Sequence, residues 1–296
     1  MRKQVLFILS LFLAINLHAE NKFVIEGSVA NVPDGLIVEL LRNEDNVGML
    51  VASDTLRNGK FRFEEETSGN GTDWMFLTAR TENYYSMILY LWVRPGSSIR
   101  ISADNLLVYT WNVESDVPEQ QTRSKILASS RDLWNEYQIL DGDYDSLRSR
   151  IKSGKYSGEE KKRQKARLDS MKQAKSMLQD RISAVELEAM AKLDVDQAWM
   201  LNYVNTAYMV NISKNKDNME KAKALYAYIP DVWRDSYSGR EAKNVLFPQH
   251  VVEVGEEAAD ADLYDIDGKL WHLSDFRGRY VLIDFWSRGC VQDGHS

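Results

Sequence analysis

The spacing of the apolar residues changes once along the chain, and that change constrains the fold more than any other feature. Up to about Trp111 apolar and polar residues alternate with period two, as in Lys60-Phe61-Arg62-Phe63-Glu64, the pattern of a half-buried strand. Beyond Pro118 they recur at three- or four-residue steps and their multiples, as in Leu168, Met171, Leu178, Ile182, Val185 and Ala189, which is one stripe of an amphipathic helix. The chain therefore reads as α+β, with an antiparallel β-sandwich-like region first and a helical region second.

Turn chemistry divides the first region. Pro33-Asp34-Gly35 joins a strand over Phe23–Val29 to one over Leu36–Leu41, with proline fixing one φ and glycine supplying a positive one. Asn58-Gly59 is a hairpin signal ahead of the alternating run, Trp74–Arg80 and Ser86–Val93 are further strands, and Arg94-Pro95-Gly96-Ser97 turns into Ser98–Ala103. In the second region helices are predicted over Gln121–Leu140, Asp196–Val210 and Asn218–Tyr228, the last ended by Pro230. Ser153–Gly158 breaks two of the helical stretches. Lys161, Lys162, Arg163, Lys165, Arg167, Lys172 and Lys175 lie opposite the apolar stripe and read as a solvated face, the alternative being a basic surface for an acidic partner.

The amino terminus has the pattern of a secretory leader over residues 1–19: Arg2 and Lys3, an apolar stretch from Val5 to Ile15, then Leu17-His18-Ala19 with a small residue at the cut. An apolar run this short does not span a bilayer of about 30 Å comfortably. The expectation is export to the periplasm or cell envelope, cleavage after Ala19, and no membrane insertion afterwards. The formal net charge is −7, and losing Arg2 and Lys3 makes the remainder more acidic, which argues against nucleic acid or an anionic membrane as partner.

At the other end, Ala261-Asp262-Leu263-Tyr264-Asp265-Ile266-Asp267-Gly268-Lys269 is followed by Leu273-Ser274-Asp275-Phe276-Arg277-Gly278-Arg279. Then comes Tyr280-Val281-Leu282-Ile283-Asp284-Phe285-Trp286-Ser287-Arg288-Gly289-Cys290. This succession resembles the entry to a thioredoxin-like domain of the envelope thiol–disulfide oxidoreductases of the TlpA/ResA type, within the wider AhpC/TSA-related group. Residues 22–116 resemble the β-rich domain of unassigned function that precedes such domains, through Gly27, Pro33-Asp34-Gly35, Asp54-Thr55, Gly59–Phe63, Pro95-Gly96 and Ile99. The resemblance implies a buried apolar strand leading to Cys290 as the nucleophile at a helix N-terminus. It implies Asp284 as the buried carboxylate that serves a second cysteine, and disulfide-bearing exported proteins and a membrane redox donor as partners.

The chain departs from that pattern at the chemistry. Cys290 is its one cysteine, and Asp293 stands where the resolving thiol belongs, so no intramolecular disulfide forms. Gly289 and Gln292 replace the family's tryptophan and proline, and a whole thioredoxin-like domain needs roughly 80 to 100 residues more. Cys290 is thus either a monothiol nucleophile or a remnant thiol, and a lost reading frame after it is a third reading. The organisation expected is a leader (1–19), a β-rich domain (22–116), a helical connecting domain (117–247) and a partial thioredoxin-like domain (248–296). The function implied is thiol–disulfide exchange, impaired as written; the alternative is a non-catalytic binding module built on the β-rich and helical regions.

No cofactor or metal is expected. His18, His250, His272 and His295 lack ligand spacing, and there is no glycine-rich phosphate loop or Gly-x-Ser-x-Gly elbow. Trp74, Trp92, Trp111, Trp134, Trp199 and Trp271 fall in strand or helix patterns and are expected to pack cores, a sugar-stacking platform being the alternative.

Overall fold

The computed structural model describes residues 21–44, 47–82, 84–248 and 252–284. The fold is α+β. The first strands are β1 (Lys22–Val29), β2 (Ile37–Glu44), β3 (Val47–Thr55), β4 (Lys60–Glu66) and β5 (Asp73–Thr81). After them come β6 (Tyr84–Tyr85), β7 (Leu89–Val93), β8 (Ser98–Ala103) and β9 (Asn112–Glu114). One sheet runs β4-β1-β8-β9; the other runs β3-β2-β5-β6, with β7 also paired to β5. Ile25, Phe63, Ile99 and Ile101 of the first sheet share one buried core with Val38, Leu40, Met75 and Leu77 of the second.

Local chemistry places the turns. Asn58 (φ 51°) and Gly59 (φ 69°) both take positive φ between the mutually bonded Arg57 and Lys60, as a two-residue hairpin with primed-turn geometry requires. Gly27 answers a different need: a Cβ there would sit 1.9 Å from the Phe61 ring. Phe61 occupies that space and stacks on Trp111 at 6.2 Å between centroids.

Three strand expectations change. β1 and β8 run parallel, with Val24 opposite Ser98, because the two strands are distant in sequence and no hairpin dictates their sense. Ser86–Ile88 lies outside the strand, the Ser86 hydroxyl accepting from the Ala79 amide at 2.8 Å, so β7 begins at Leu89. β3 and β9 carry no clear alternation and were not foreseen.

The helices are α1 (Pro118–Lys152), α2 (Gly158–Met190), α3 (Gln197–Ser213), α4 (Lys216–Tyr226), α5 (Asp231–Arg234) and α6 (Tyr237–Leu246). Proline opens α1, where its missing N–H costs nothing. Asp196, Asn215 and Ser236 cap α3, α4 and α6 by accepting from the amides of Trp199, Asn218 and Gly239. α1 continues 12 residues past Leu140, through Asp141-Gly142-Asp143, because packing of Tyr137 and Leu147 and the Lys175–Asp141 ion pair with α2 outweigh weak local propensity. On α2 the buried face is Leu178, Ile182, Ser183, Glu186, Leu187 and Met190; Val185 and Ala189 are only half-buried, so the face is rotated from the predicted stripe toward two polar residues. A second core joins Ile126 and Leu187 to Trp199, Tyr203, Val210, Ala222, Ile229 and Leu246. Among the described residues no helix is long and apolar enough to cross a membrane.

The chain divides after Phe247, the β-rich and helical regions forming one compact unit. In the second unit Leu263–Tyr264 (β10) pairs antiparallel with Leu270–Trp271 (β11). The turn between them is organised by Asp265, whose Oδ1 accepts from the amides of Asp267 and Lys269 and whose Oδ2 accepts from the Trp271 indole at 2.9 Å. A 3₁₀ turn over Leu273–Phe276 follows. The strand implied over Tyr280–Asp284 is absent: these residues are exposed and belong to no strand, since no neighbouring backbone pairs with them among the described residues.

Candidate functional site

Of the two residues singled out for redox chemistry, Cys290 lies outside the described residues, and Asp284 is exposed rather than enclosed. Chemistry concentrates instead where α1 lies against the sandwich.

The amino-terminal half of α1 is fastened to the β region by polar side chains. Gln120 Oε1 accepts from the amide of Trp92 on β7 at 2.9 Å. Further along, Arg131, Asn135 and Gln138, spaced four and three residues apart on one helical face, all engage the 3₁₀ turn Val108–Thr110. The Thr110 hydroxyl donates to Asn135 Oδ1 at 2.5 Å, Gln138 Oε1 accepts from the Tyr109 amide at 3.2 Å, and Arg131 donates to the Thr110 carbonyl.

Between those anchors, α1 directs Arg123 inward. Its guanidinium lies beside the edge-to-face pair of Tyr90 on β7 and Tyr109, whose centroids are 5.6 and 5.1 Å from the guanidinium carbon. Nη1 donates to Oδ1 of Asn202 on α3 at 2.6 Å. Nε and Nη2 have no hydrogen-bond partner, and both are shut off from bulk water. Arg123 is 2% exposed. Glu186 on α2, 5% exposed, is close enough to act electrostatically on the guanidinium; its Oε1 accepts from the Ser130 hydroxyl and the Trp134 indole, each at 2.7 Å. Burial pushes the Tyr109 phenol up to about 12, with Arg123 pulling the other way.

These groups line a cleft of about 250 Å³ that continues past Trp134 to Asn205 and Met209. Several hollows are larger. One of about 500 Å³ between α2, α3 and α4 is walled by apolar residues such as Leu193, Trp199 and Leu225. Another of about 750 Å³ lies on the outer face of the first sheet, where Arg62 pairs with Glu26 and Glu64.

The chain matches no protein-family model, no curated protein and no solved structure. What the site does must be argued from its own atoms.

Sequence reading did not single out Arg123, Glu186 or Asn202. A signal was present: Arg123, Ile126, Leu127, Ser130 and Trp134 share one helical face, as do Ile182, Ser183, Glu186, Leu187 and Met190, so each face carries one charge among apolar neighbours. Trp92, Trp111 and Trp199 are buried, while Trp74, Trp134 and Trp271 are half-buried. Of the basic stripe, Lys162 and Arg163 pair with Glu159 and Glu160 on their own helix, and Lys175 is drawn onto Asp141. Among the described residues no group of three or more His, Cys, Asp or Glu is placed to hold a metal ion.

Proposed function

We propose that the chain is an envelope protein in which a β-rich and helical binding unit precedes a thioredoxin-like thiol–disulfide exchange segment. The observation that carries the exchange reading is the order of parts around the second unit. A hairpin closed by Asp265 and a 3₁₀ turn lead into Tyr280-Val281-Leu282-Ile283, four exposed apolar residues directly before Asp284 and the segment that ends in Cys290. An exposed apolar run of this kind is built for cover.

In this reading the Cys290 thiolate attacks one sulfur of a disulfide in an exported protein. The partner's S–S bond breaks, a mixed disulfide forms, and the departing thiolate takes up a proton. With one cysteine in the chain, release needs a second thiol from another molecule, such as a reduced membrane donor, so capture is favoured over turnover. The test is incubation of the purified chain with oxidised glutathione followed by intact-mass measurement. A single adduct of one glutathionyl group, absent from Cys290→Ala, supports the reading; no adduct under conditions that modify free cysteine overturns it.

A second reading, a non-catalytic binding module, is favoured by the buried and partly unpaired Arg123 beside a cleft. It is tested independently of the thiol, on Cys290→Ala.

A further inference from the structure

The Tyr109 hydroxyl lies near enough to interact with the Arg123 guanidinium, but Nη1 is the one nitrogen with an acceptor within hydrogen-bond distance among the described residues. Nη1 is bonded to Asn202, while Nε and Nη2 share the opposite edge of the guanidinium, the edge that takes both oxygens of a carboxylate through parallel N–H···O bonds. A buried cation with that edge unpaired is costly, and contact with two tyrosine faces offsets only part of the cost.

We infer that the cleft beside Arg123 binds a small organic monocarboxylate, with the carboxylate on the Nε/Nη2 edge and the body of the ligand lying toward Trp134 and Met209. The geometry selects the class in three ways. The free edge is planar and presents two donors, which matches a carboxylate. Glu186, buried and within electrostatic reach, already offsets much of the Arg123 charge, so each negative charge on a ligand is penalised and a phosphate dianion more than a monocarboxylate. The cleft of about 250 Å³ holds about eight water-sized groups, which suits a body of a few carbons or one small ring. Nε and Nη2 are closed off in this structure, so occupancy of the edge requires the wall of the cleft to open. The site deepens the binding-module reading and depends on no property of Cys290; a carboxylate preference that fails here leaves the glutathione test untouched.

The experiment is isothermal titration of the full chain at pH 7 with butyrate and with phenylacetate, each beside its neutral amide, and with inorganic phosphate. The expected result is that at least one acid binds tenfold or more tightly than its amide and than phosphate. Arg123→Lys, which keeps the charge and loses the two-donor edge, is expected to reduce that preference about tenfold. The Arg123 Nε–H resonance, followed by NMR in the unaltered chain, should move with the acid and not with the amide. Acids that bind no better than their amides, phosphate that binds as well as the acids, a preference unchanged in Arg123→Lys, or an Nε–H signal indifferent to the acid each overturns the proposal.

Discussion

Nη1 of Arg123 and Oδ1 of Asn202 meet at 2.6 Å across 79 positions of sequence, and that one bond joins α1 to α3 at the inner end of the cleft. The Tyr109 hydroxyl also interacts with this buried guanidinium, while Nε and Nη2 have no partner within hydrogen-bond distance.

Removing the acceptor should therefore cost more than an ordinary hydrogen bond. Asn202→Leu is expected to destabilise the chain by about 2 to 4 kcal/mol in urea denaturation, because a charged donor stays buried without its acceptor. Combining it with Arg123→Met should cost less than the sum of the two single changes, since the donor and its acceptor leave together while Glu186 loses its countercharge in either background. Strictly additive losses would show that Arg123 holds the fold by packing and by its attraction to Glu186 rather than by this bond.

Gly27 is expected to tolerate no side chain. Gly27→Ala places a methyl 1.9 Å from the Phe61 ring and should cost about 3 kcal/mol, read from the urea midpoint. Gly27→Ala combined with Phe61→Leu should lose less than the sum of the two single changes, since they compete for one volume.

The Tyr109 phenol predicts alkaline behaviour. Its ordinary value is 10, and burial raises it in the fold to about 12. Below pH 10 both folded and unfolded chains keep the proton, and its contribution is fully present. Between about pH 10 and 12 the unfolded chain releases it first, binds fewer protons than the fold, and stability falls by about 2 to 3 kcal/mol. Tyr109→Phe should show a shallower decline of urea midpoint between pH 9.5 and 11.5, by roughly that contribution; an unchanged slope would assign the decline to other tyrosines.

In the second unit the turn carboxylate Asp265 predicts acid behaviour. The indole of Trp271 and the amides of Lys269 and Asp267 hold it below the ordinary carboxylate range. The contribution it makes to the hairpin is present above that ordinary range and lost as pH falls through the lowered value. The indole N–H resonance of Trp271 should accordingly move toward its unstructured position in acid. Asp265→Asn, which retains one carbonyl acceptor for the turn amides and loses the second oxygen, should place that resonance there already at pH 7.

What the sequence by itself determined are the features written in near neighbours. The Asn58-Gly59 hairpin, the Pro33-Asp34-Gly35 turn and the break over Ser153–Gly158 each follow from the φ preference of a few adjacent residues, and with the change of apolar spacing they determine an α+β chain. What only the tertiary structure decided joins distant residues or balances propensity against packing. The parallel pairing of β1 with β8, the continuation of α1 through Gly142 and the turn of α2 that buries Glu186 in place of Val185 are of this kind. So is the cleft itself: Arg123, Glu186 and Asn202 come from three helices, and Tyr90 and Tyr109 from the β-rich region. Periodicity marks which face of a helix is buried, but the partner that a buried charge finds is set by which helices pack together, and no local pattern encodes that.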